Sequence, residues 1–226
     1  MGPLATADFL KKLIEETPAQ HDEDHIPVIV YSVPQIPSRP AAILADGVSP
    51  LPAMLEGIRI LRHAGARALA IPCNTAHYWF EDLVREGALP ILHIADAVLA
   101  ELAARNFRAG RVGLIATEGT VAAGFFQQRL SAAGLGIIMS TEQEQHEWVL
   151  PAIEAVKRNA LDVAHPLAVR ACESLRARGA DLVVLACTET PMAMDYAAHS
   201  VAAICVDATR ALAKACVAWS RDAQET

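Results

Sequence analysis

The sequence contains an internal repeat, and this repeat limits the possible folds more than any other feature. Residues 68–77 read ALAIPCNTAH and residues 182–191 read LVVLACTETP, so that Cys73 and Cys187 stand at matching positions, 114 residues apart. Self-similarity at a fixed spacing indicates that similar supersecondary units are joined in one chain. We therefore expect two similar halves that present the two cysteines from opposite sides of a shared cleft.

Short β-rich runs alternate with amphipathic helical stretches along the chain. Residues 49–63 are typical of a helix, because Ser49 is a suitable N-cap, Pro50 suits a first helical position and Gly65 follows the end. Such alternation favours parallel sheets covered by helices, and hence an α/β fold. Residues 141–179 are predicted to be helical throughout. Strands are predicted at residues 26–31, 66–71, 89–94, 111–116, 181–186 and 201–206.

The counterpart of one predicted strand falls outside the sequence. The spacing of 114 residues sets Thr6 against Thr120, and it places the counterpart of residues 111–116 at or before Met1. We therefore expect the first half to be without its first strand, either because the sequence begins downstream of the native start or because the strand has been lost. The first explanation is favoured, because loss of a central strand would expose unpaired backbone.

Composition and charge argue against several classes of partner. The chain has 226 residues, of which 53% are apolar and 20% are charged, which is enough to bury a substantial core. A net charge of -7 and the lack of a Lys/Arg block argue against nucleic-acid binding. The sequence shows neither an apolar run of membrane-spanning length nor a signal-peptide pattern. We expect a cytoplasmic protein with no nucleic-acid or membrane partner.

The five cysteines form an odd set with no Cys-x-x-Cys pair, which fits neither a disulfide framework nor a zinc site. Cys73 and Cys187 each follow a mainly apolar predicted strand and precede a predicted helix. Ligands bind beyond the carboxyl ends of parallel strands, and a helix N-terminus lowers the pKa of a thiol. We expect these two thiols to be reactive, and Cys172, Cys205 and Cys216 to be buried structural thiols.

Two matched thiols that face one cleft suit the inversion of a carbon centre, which needs a base on one face and an acid on the other. The developing carbanion needs stabilisation, for which the hydroxyls of Thr75, Thr120 and Thr188 and backbone N–H groups are candidates. No metal or cofactor is indicated. A pyridoxal Schiff base needs a suitably placed lysine, and no lysine has a strand-end setting; the lysines are Lys11, Lys12, Lys157 and Lys214.

Five motifs occur in order along nearly the whole chain. They read MGPLATADF at residues 1–9, VPQIPSRP at 33–40, PCNTAH at 72–77, GLIATEGT at 113–120 and ACTETP at 186–191. Together these motifs resemble the aspartate/glutamate racemase superfamily, specifically its aspartate racemase branch. The resemblance implies a racemase that uses no cofactor, is commonly a homodimer and has two pseudo-symmetric parallel-sheet α/β domains with the active site in the cleft between them. The implied domains are residues 1–106 with 207–226, and residues 107–206.

The resemblance also implies the residues of the site. Cys73 and Cys187 would be the catalytic pair. Arg39 matches an arginine that binds the side-chain carboxylate of the substrate, and Lys157 is the best match to a lysine with the same task. Prolines on both sides of Arg39 would also stiffen its segment. The predicted substrate-binding residues are Met1, Arg39, Asn74, Thr75, Thr117, Thr120, Lys157, Thr188 and Glu189.

The chain departs from the family pattern in two places. A Gly-Gly pair usual directly before the position of Met1 is not in the sequence, and Ala123, Gly124 and Phe125 replace a segment that commonly carries Ser, Gly and an aromatic hydroxyl. Both departures leave the thiols unchanged, but they affect the expected substrate contacts.

Other residues near the motifs allow two interpretations. Glu189 would raise and His77 would lower the pKa of a nearby thiol, or each would cap a helix. For His93 and Asp207, which the repeat pairs, capping is favoured. The remaining residues of interest are predicted to pack in the core or between domains: Trp79, Phe80 and Trp148.

Aspartate racemisation is the leading hypothesis. Glutamate racemisation or a broad amino-acid range is the nearest alternative. A decarboxylase or a cis-trans isomerase of diacids uses a different pattern at the thiol positions, and the presence of both cysteines argues against the decarboxylase. The alternative from another class is a non-catalytic protein that binds an acidic ligand on the same scaffold.

Overall fold

Two parallel β-sheets form the frame of the molecule in a computed structural model, which describes residues 2–223. The smaller sheet pairs β1 (Leu69–Ala70) with β2 (Ile91–Leu92). The larger sheet has the order β4-β3-β5-β6, with all neighbours parallel. The predicted α/β class is confirmed. The strands of the larger sheet are β3 (Arg111–Ala116), β4 (Gly136–Met139), β5 (Leu182–Ala186) and β6 (Cys205–Asp207).

Helices precede, connect and follow these strands. The α-helices of the described residues are α1 (Pro3–Glu16), α2 (Arg39–Leu44), α3 (Leu51–His63), α4 (Phe80–Gly87), α5 (Ile94–Ala104), α6 (Glu118–Ala123), α7 (Phe125–Ala132), α8 (Glu142–Glu144), α9 (Leu150–Lys157), α10 (Leu161–Ala177), α11 (Thr190–Asp195) and α12 (Ala208–Asp222). Short 3-10 segments occur at Asp22–Asp24, Asn74–Trp79 and Ser200–Ile204, and a π-helical turn at Gln145–Val149. Within residues 2–223, every helix is too short or too polar to cross a membrane.

The larger sheet is buried on both faces. Along β5, Val184 packs with α1, α5 and α12, while the neighbouring Val183 and Leu185 pack with α9 and α10. Alternate residues of a strand point to opposite faces, so an almost wholly apolar strand suits a sheet with helices on both sides. The last helix, α12, packs against α1 and α5. The division into residues 1–106 with 207–226 and residues 107–206 stays a prediction.

Local sequence signals place several elements correctly. The strand predicted at residues 111–116 has those bounds, and α3 ends at His63 as predicted. Pro50 rather than Ser49 is the N-cap of α3, although the Ser49 hydroxyl still accepts the Leu51 N–H at 3.3 Å. Gly65 follows this helix with φ of 96°, a left-handed conformation that glycine adopts without strain.

The strand predicted at residues 26–31 is wrong. These residues have no regular secondary structure, and Val28, Ile29 and Val30 are 44%, 48% and 49% exposed. An apolar run of this kind forms a buried strand only where another strand lies beside it, and residues 26–31 pair with no strand within the described chain.

Other predicted element boundaries differ from the observed ones by smaller amounts. The strands predicted at residues 66–71 and 89–94 shorten to β1 and β2, and only the end of 201–206 joins β6. The predicted helical stretch 141–179 is interrupted between α9 and α10. The strand β4 was not predicted, because its four residues are too few to show a periodic pattern.

A buried lysine joins α1 to the start of α12. Lys12 Nζ lies 2.6 Å from Asp8 Oδ2 and 2.7 Å from Asp207 Oδ2, and Lys12 is only 1% exposed. Burial alone would lower the pKa of Lys12, but the charge of Asp207 and hydrogen bonds to both carboxylates raise it above its ordinary value. Asp207 also caps α12 by accepting the N–H groups of Thr209 and Arg210.

We predict that Lys12→Met destabilises the fold by about 3 kcal/mol or more, because it leaves two carboxylates in a buried site without their cation. Lys11→Met is the matched control on the same helix, since the Lys11 side chain is 74% exposed, and it should change stability by less than about 0.5 kcal/mol. Urea unfolding followed by circular dichroism measures both. Equal stability of the two variants would show that the buried pairs contribute nothing.

Candidate active site

Both repeated cysteines lie just beyond the carboxyl ends of parallel strands. The Cys73 N–H donates to the Ile71 carbonyl at 2.7 Å, shortly after β1, and Cys73 is half-buried. Cys187 directly follows β5 and is 4% exposed. Its carbonyl accepts the N–H of Thr190 at 3.1 Å and the hydroxyl of Thr190 at 2.8 Å. The backbone of each cysteine is therefore held at the edge where parallel sheets bind ligands.

The two cysteines line the same small cavity. This cavity has a volume of about 70 Å³ and is lined by residues from both halves of the repeat. Most of the predicted site residues meet there, while Thr120 lies just behind the wall and Met1 is outside the described residues. The predicted residues that line the cavity are Arg39, Cys73, Asn74, Thr75, Thr117, Lys157, Cys187, Thr188 and Glu189.

Four lining residues were not predicted: Gly2, Pro40, Pro72 and Ile153. Pro40 and Pro72 are direct neighbours of predicted residues, so the motifs contained a signal for them. Ile153 lies one turn before Lys157 on α9 and on the same face of that helix. A Cβ atom at Gly2 would lie 3.1 Å from Glu189 Oε1, so glycine allows α1 to begin close to this carboxylate.

The thiol of Cys187 donates a hydrogen bond to Glu189. Cys187 Sγ lies 3.1 Å from Glu189 Oε2, and the Thr188 hydroxyl donates to the same oxygen at 3.1 Å. Burial, followed by the negative charge of Glu189, raises the pKa of Cys187 well above its ordinary value. The expectation of a lowered pKa is therefore wrong for this thiol, and the structure agrees with the interpretation in which Glu189 raises it.

Three hydroxyls connect the two halves beside the cavity. Thr75 Oγ1 lies 2.9 Å from Thr117 Oγ1 and 2.9 Å from Thr120 Oγ1, and the latter two oxygens are 3.0 Å apart. Thr75 comes from the segment after Cys73, whereas Thr117 caps α6, which follows β3. A hydroxyl both donates and accepts hydrogen bonds. The three hydroxyls of this hydroxyl triangle can therefore also form hydrogen bonds with a ligand.

Several buried polar atoms of the cavity wall have no hydrogen-bond partner within the described chain: Arg39 Nε, Asn74 Nδ2 and Asn74 Oδ1. Arg39 Nη1, by contrast, donates to the carbonyls of Ile36 and Pro37 at 2.9 and 2.8 Å, which holds the side chain in place. Buried polar groups without partners are rare in folded proteins, so atoms of this kind in a cavity wall indicate a site built for a polar ligand.

Lys157 reaches the cavity from the end of α9, but its ammonium also has a partner on its own helix. Nζ lies 2.8 Å from Glu154 Oε1, and the side chain is 49% exposed. Burial would lower the pKa of Lys157, but the hydrogen bond and charge of Glu154 raise it, with a further contribution from Glu189. Lys157 therefore keeps a positive charge at the edge of the cavity.

His77 supports the backbone of Cys73, and both of its ring nitrogens form hydrogen bonds. Its Nδ1 lies 3.0 Å from the Cys73 carbonyl, and the Ile94 N–H donates to its Nε2 at 3.2 Å. Nε2 therefore accepts a hydrogen bond, and Nδ1 carries the ring proton and donates a hydrogen bond to the Cys73 carbonyl. Burial lowers the pKa of His77 to about 4, so this imidazole is neutral and supplies no cation to the thiol.

Most of the other interpretations are confirmed. His93 caps α5 through a hydrogen bond from the Ala95 N–H at 3.1 Å, and Asp207 caps α12. Trp79 is buried in the core around β1 and β2, and Trp148 packs beneath the guanidinium of Arg170. Phe80 packs against the same core. All three remaining cysteines are free. The prediction of a buried thiol is confirmed for Cys172 but is wrong for Cys205 and Cys216, which are half-buried.

The chain is similar to known proteins over nearly its whole length. The family model described as Asp/Glu/Hydantoin racemase matches residues 1–216. The broad specificity amino-acid racemase RacX of Bacillus subtilis is 27% identical over 222 residues, which cover 96% of this chain and 93% of that protein. A glutamate racemase of Aquifex aeolicus is 34% identical over 80 residues, which cover 35% of this chain and 31% of that protein.

Solved structures show the same fold. The Picrophilus torridus aspartate racemase superposes with a TM-score of 0.83 at 29% identity, covering 97% of this chain and 90% of that chain. An aspartate racemase homologue from Pyrococcus horikoshii superposes with a TM-score of 0.74 at 23% identity, covering 97% and 95%. The predicted enzyme class is confirmed: the chain belongs to the Asp/Glu/hydantoin racemase family and is an amino-acid racemase of that family.

Proposed function

We propose that the protein is an aspartate racemase in which Cys73 and Cys187 exchange protons with opposite faces of the substrate Cα. The observation that carries the proposal is the meeting of both thiols with the Arg39 guanidinium in one cavity. The similarity to the Picrophilus torridus aspartate racemase supports the same substrate. The similarity to RacX keeps a broad amino-acid range as the alternative.

The cavity offers groups for each part of aspartate. Asn74 has a free amide, and the hydroxyls of Thr75, Thr117 and Thr188 lie around it, so these residues would bind the α-carboxylate and the amino group. The free Nε of Arg39 would bind the side-chain carboxylate. Lys157 would add a second cation by exchanging Glu154 for that carboxylate.

The proton transfers balance with the two thiols alone. A Cys73 thiolate takes the Cα proton, the C–H electron pair moves into the α-carboxylate, and the Cys187 thiol then gives its proton to the opposite face of Cα. Cys73 ends as a thiol and Cys187 as a thiolate, and the reverse direction uses the same steps. Hydrogen bonds from Asn74 and the threonines stabilise the charge that develops on the α-carboxylate.

Glu189 determines which thiol starts with the proton. Its carboxylate accepts the Cys187 Sγ–H and opposes a second negative charge at that sulfur. Cys187 therefore keeps its proton and serves as the acid in the direction of reaction described above. No cofactor or metal takes part in the proposed reaction. We also propose that the protein is a cytoplasmic homodimer.

We predict that Cys73→Ala and Cys187→Ala each lower the racemisation of aspartate by about 100-fold or more, because each removes one proton-transfer group. Cys216→Ala, which removes a thiol outside the cavity, is the control and should keep nearly full activity. Chiral chromatography measures D-aspartate formed from L-aspartate, and incorporation of solvent deuterium at Cα reports proton exchange. Full racemisation by either cavity variant would contradict the two-thiol mechanism, and lack of any exchange in the unsubstituted protein would favour a non-catalytic binder.

We predict that Arg39→Leu raises the KM for aspartate and lowers kcat/KM by about 10- to 100-fold, the usual effect of losing a hydrogen bond between charged groups. The same variant should change kcat/KM for alanine little, because alanine has no side-chain carboxylate. Arg62→Leu, at an exposed position of α3, controls for the loss of a positive charge. Assays with aspartate, glutamate and alanine also decide the substrate. An equal loss for alanine would show that Arg39 only supports the fold.

We predict that Glu189→Gln lowers the pH at which Cys187 reacts with iodoacetamide, because the charge that opposes its thiolate is removed. Mass spectrometry of the Cys187 and Cys73 peptides follows alkylation from pH 6 to pH 10, with Cys73 as the internal control. A reactivity profile of Cys187 that does not move would show that Glu189 does not hold the proton on this thiol.

A further inference from the structure

Two of the five cysteines are in direct contact with each other. Cys205 Sγ lies 3.8 Å from Cys172 Sγ, and neither residue is among the described residues that line the cavity of Cys73 and Cys187. Cys172 belongs to α10, and Cys205 is the first residue of β6. These residues are 33 positions apart in the sequence and meet because α10 packs against β5 and the 3-10 segment Ser200–Ile204.

The two thiols of this pair differ in accessibility and in acidity. Cys172 is fully buried, whereas Cys205 is half-buried. The hydrogen bond between the two sulfurs raises the pKa of Cys172 well above its ordinary value, and burial raises it further. The same hydrogen bond lowers the pKa of Cys205, although burial opposes this effect. Cys205 is therefore the thiol that a small reagent can reach and that more readily forms a thiolate.

The charges around the pair add to this difference. Arg105 donates from Nη1 to the Cys205 carbonyl at 3.1 Å, and its positive charge lowers the pKa of the Cys205 thiol, against the opposing charge of Asp195. The charge of Glu173, next to Cys172 on α10, raises the pKa of the Cys172 thiol. The cation thus lies beside the accessible thiol and the buried thiol has only an added anion, so a negative charge is favoured on Cys205.

We propose that Cys172 and Cys205 form a redox-reactive dithiol, which a peroxide converts reversibly into a disulfide between α10 and β6. The Cys205 thiolate attacks one peroxide oxygen and the O–O bond breaks, so that Cys205 becomes a sulfenic acid. The other oxygen leaves as hydroxide and takes up the proton that the thiol gave up. The Cys172 sulfur then attacks the Cys205 sulfur, and its proton leaves with the sulfenic oxygen as water. Two electrons pass from the thiols to the peroxide.

The loop that this disulfide closes carries one of the two proposed catalytic thiols. Residues 172–205 include β5, and Cys187 follows that strand. Cys205 pairs with Val183 of β5, and α10 packs against α9 and α11. The disulfide therefore ties together the elements around Cys187 and restricts the unfolded chain. A dithiol added later opens it again by thiol–disulfide exchange.

The first experiment treats the protein with hydrogen peroxide, blocks the remaining thiols with N-ethylmaleimide and identifies the peptides without reductant. Cleavage after Arg and before Asp places Cys172, Cys187 and Cys205 in separate peptides. We expect the Cys172 and Cys205 peptides to be joined, two hydrogen atoms lighter than their sum, and to separate on addition of dithiothreitol. Cys216→Ala, which removes the other half-buried thiol, is the control and should give the same joined peptides.

The stability of the oxidised protein is a second readout. The oxidised protein should have a Tm about 5 °C or more above that of the reduced protein, because the disulfide closes a loop between residues 33 positions apart. Equal Tm values for the two forms would show that the disulfide does not tie together the elements around Cys187.

The order of attack is tested with dimedone, which labels sulfenic acids. In Cys172→Ala the Cys205 sulfenic acid has no thiol to resolve it, so labelling at Cys205 should be about 10-fold or more stronger than in the unsubstituted protein. Cys205→Ala is the matched variant and should show no such label at Cys172. Dimedone at Cys172 instead would reverse the proposed order.

The unsubstituted protein decides the proposal even where a variant does not fold. If peroxide oxidises Cys73 or Cys187 while Cys172 and Cys205 remain separate thiols, their contact is only packing and the proposal is wrong. Joined peptides that dithiothreitol cannot separate would overturn the claim of a reversible bond. None of these readouts depends on racemase activity.

Discussion

Parallel strand pairing is the constraint on which the site depends. In a parallel sheet all strands deliver their carboxyl ends to the same edge, so the residue that follows each strand is presented to a common side. Cys187 follows β5 and Thr117 follows β3, and these strands are neighbours. The smaller sheet delivers Cys73 in the same way after β1. The hydroxyl triangle then joins the two edges, because Thr75 from one half reaches Thr117 and Thr120 of the other.

The repeat is symmetric in sequence position but not in chemistry. Thr75 and Glu189 occupy matching positions, two residues after their cysteines. The Thr75 hydroxyl forms hydrogen bonds to the other half, whereas Glu189 accepts a hydrogen bond from the thiol of its own cysteine. His77 matches Pro191, and only the histidine supports a cysteine carbonyl. The two cysteines therefore have unequal surroundings: a carboxylate accepts a hydrogen bond from the Cys187 thiol, whereas an imidazole supports the Cys73 backbone.

The sequence predicted those features that short segments encode. The strand at residues 111–116 and the end of α3 were correct, because their apolar pattern and end signals agree with their tertiary surroundings. The sequence also predicted that both cysteines lie at strand ends, because each repeated segment places a cysteine after a mainly apolar run. Residues 26–31 could not be predicted, because whether an apolar run becomes a strand depends on a neighbour that it does not itself encode. For the pKa of Cys187 the sequence left two interpretations of Glu189 open, because burial and the orientation of this carboxylate arise only in the folded chain.

The cavity wall shows how binding and stability oppose each other in this fold. The free Nε of Arg39 and the free amide of Asn74 are buried donors and acceptors that a purely structural site would have paired. Each such group lowers the stability of the unliganded protein by roughly 1–3 kcal/mol, and a ligand that pairs with it recovers that free energy. The hydrogen bonds from Arg39 Nη1 to the carbonyls of Ile36 and Pro37 fix the orientation of the guanidinium. The same backbone that fixes Arg39 therefore leaves its Nε donor available to a ligand that offers a hydrogen-bond acceptor.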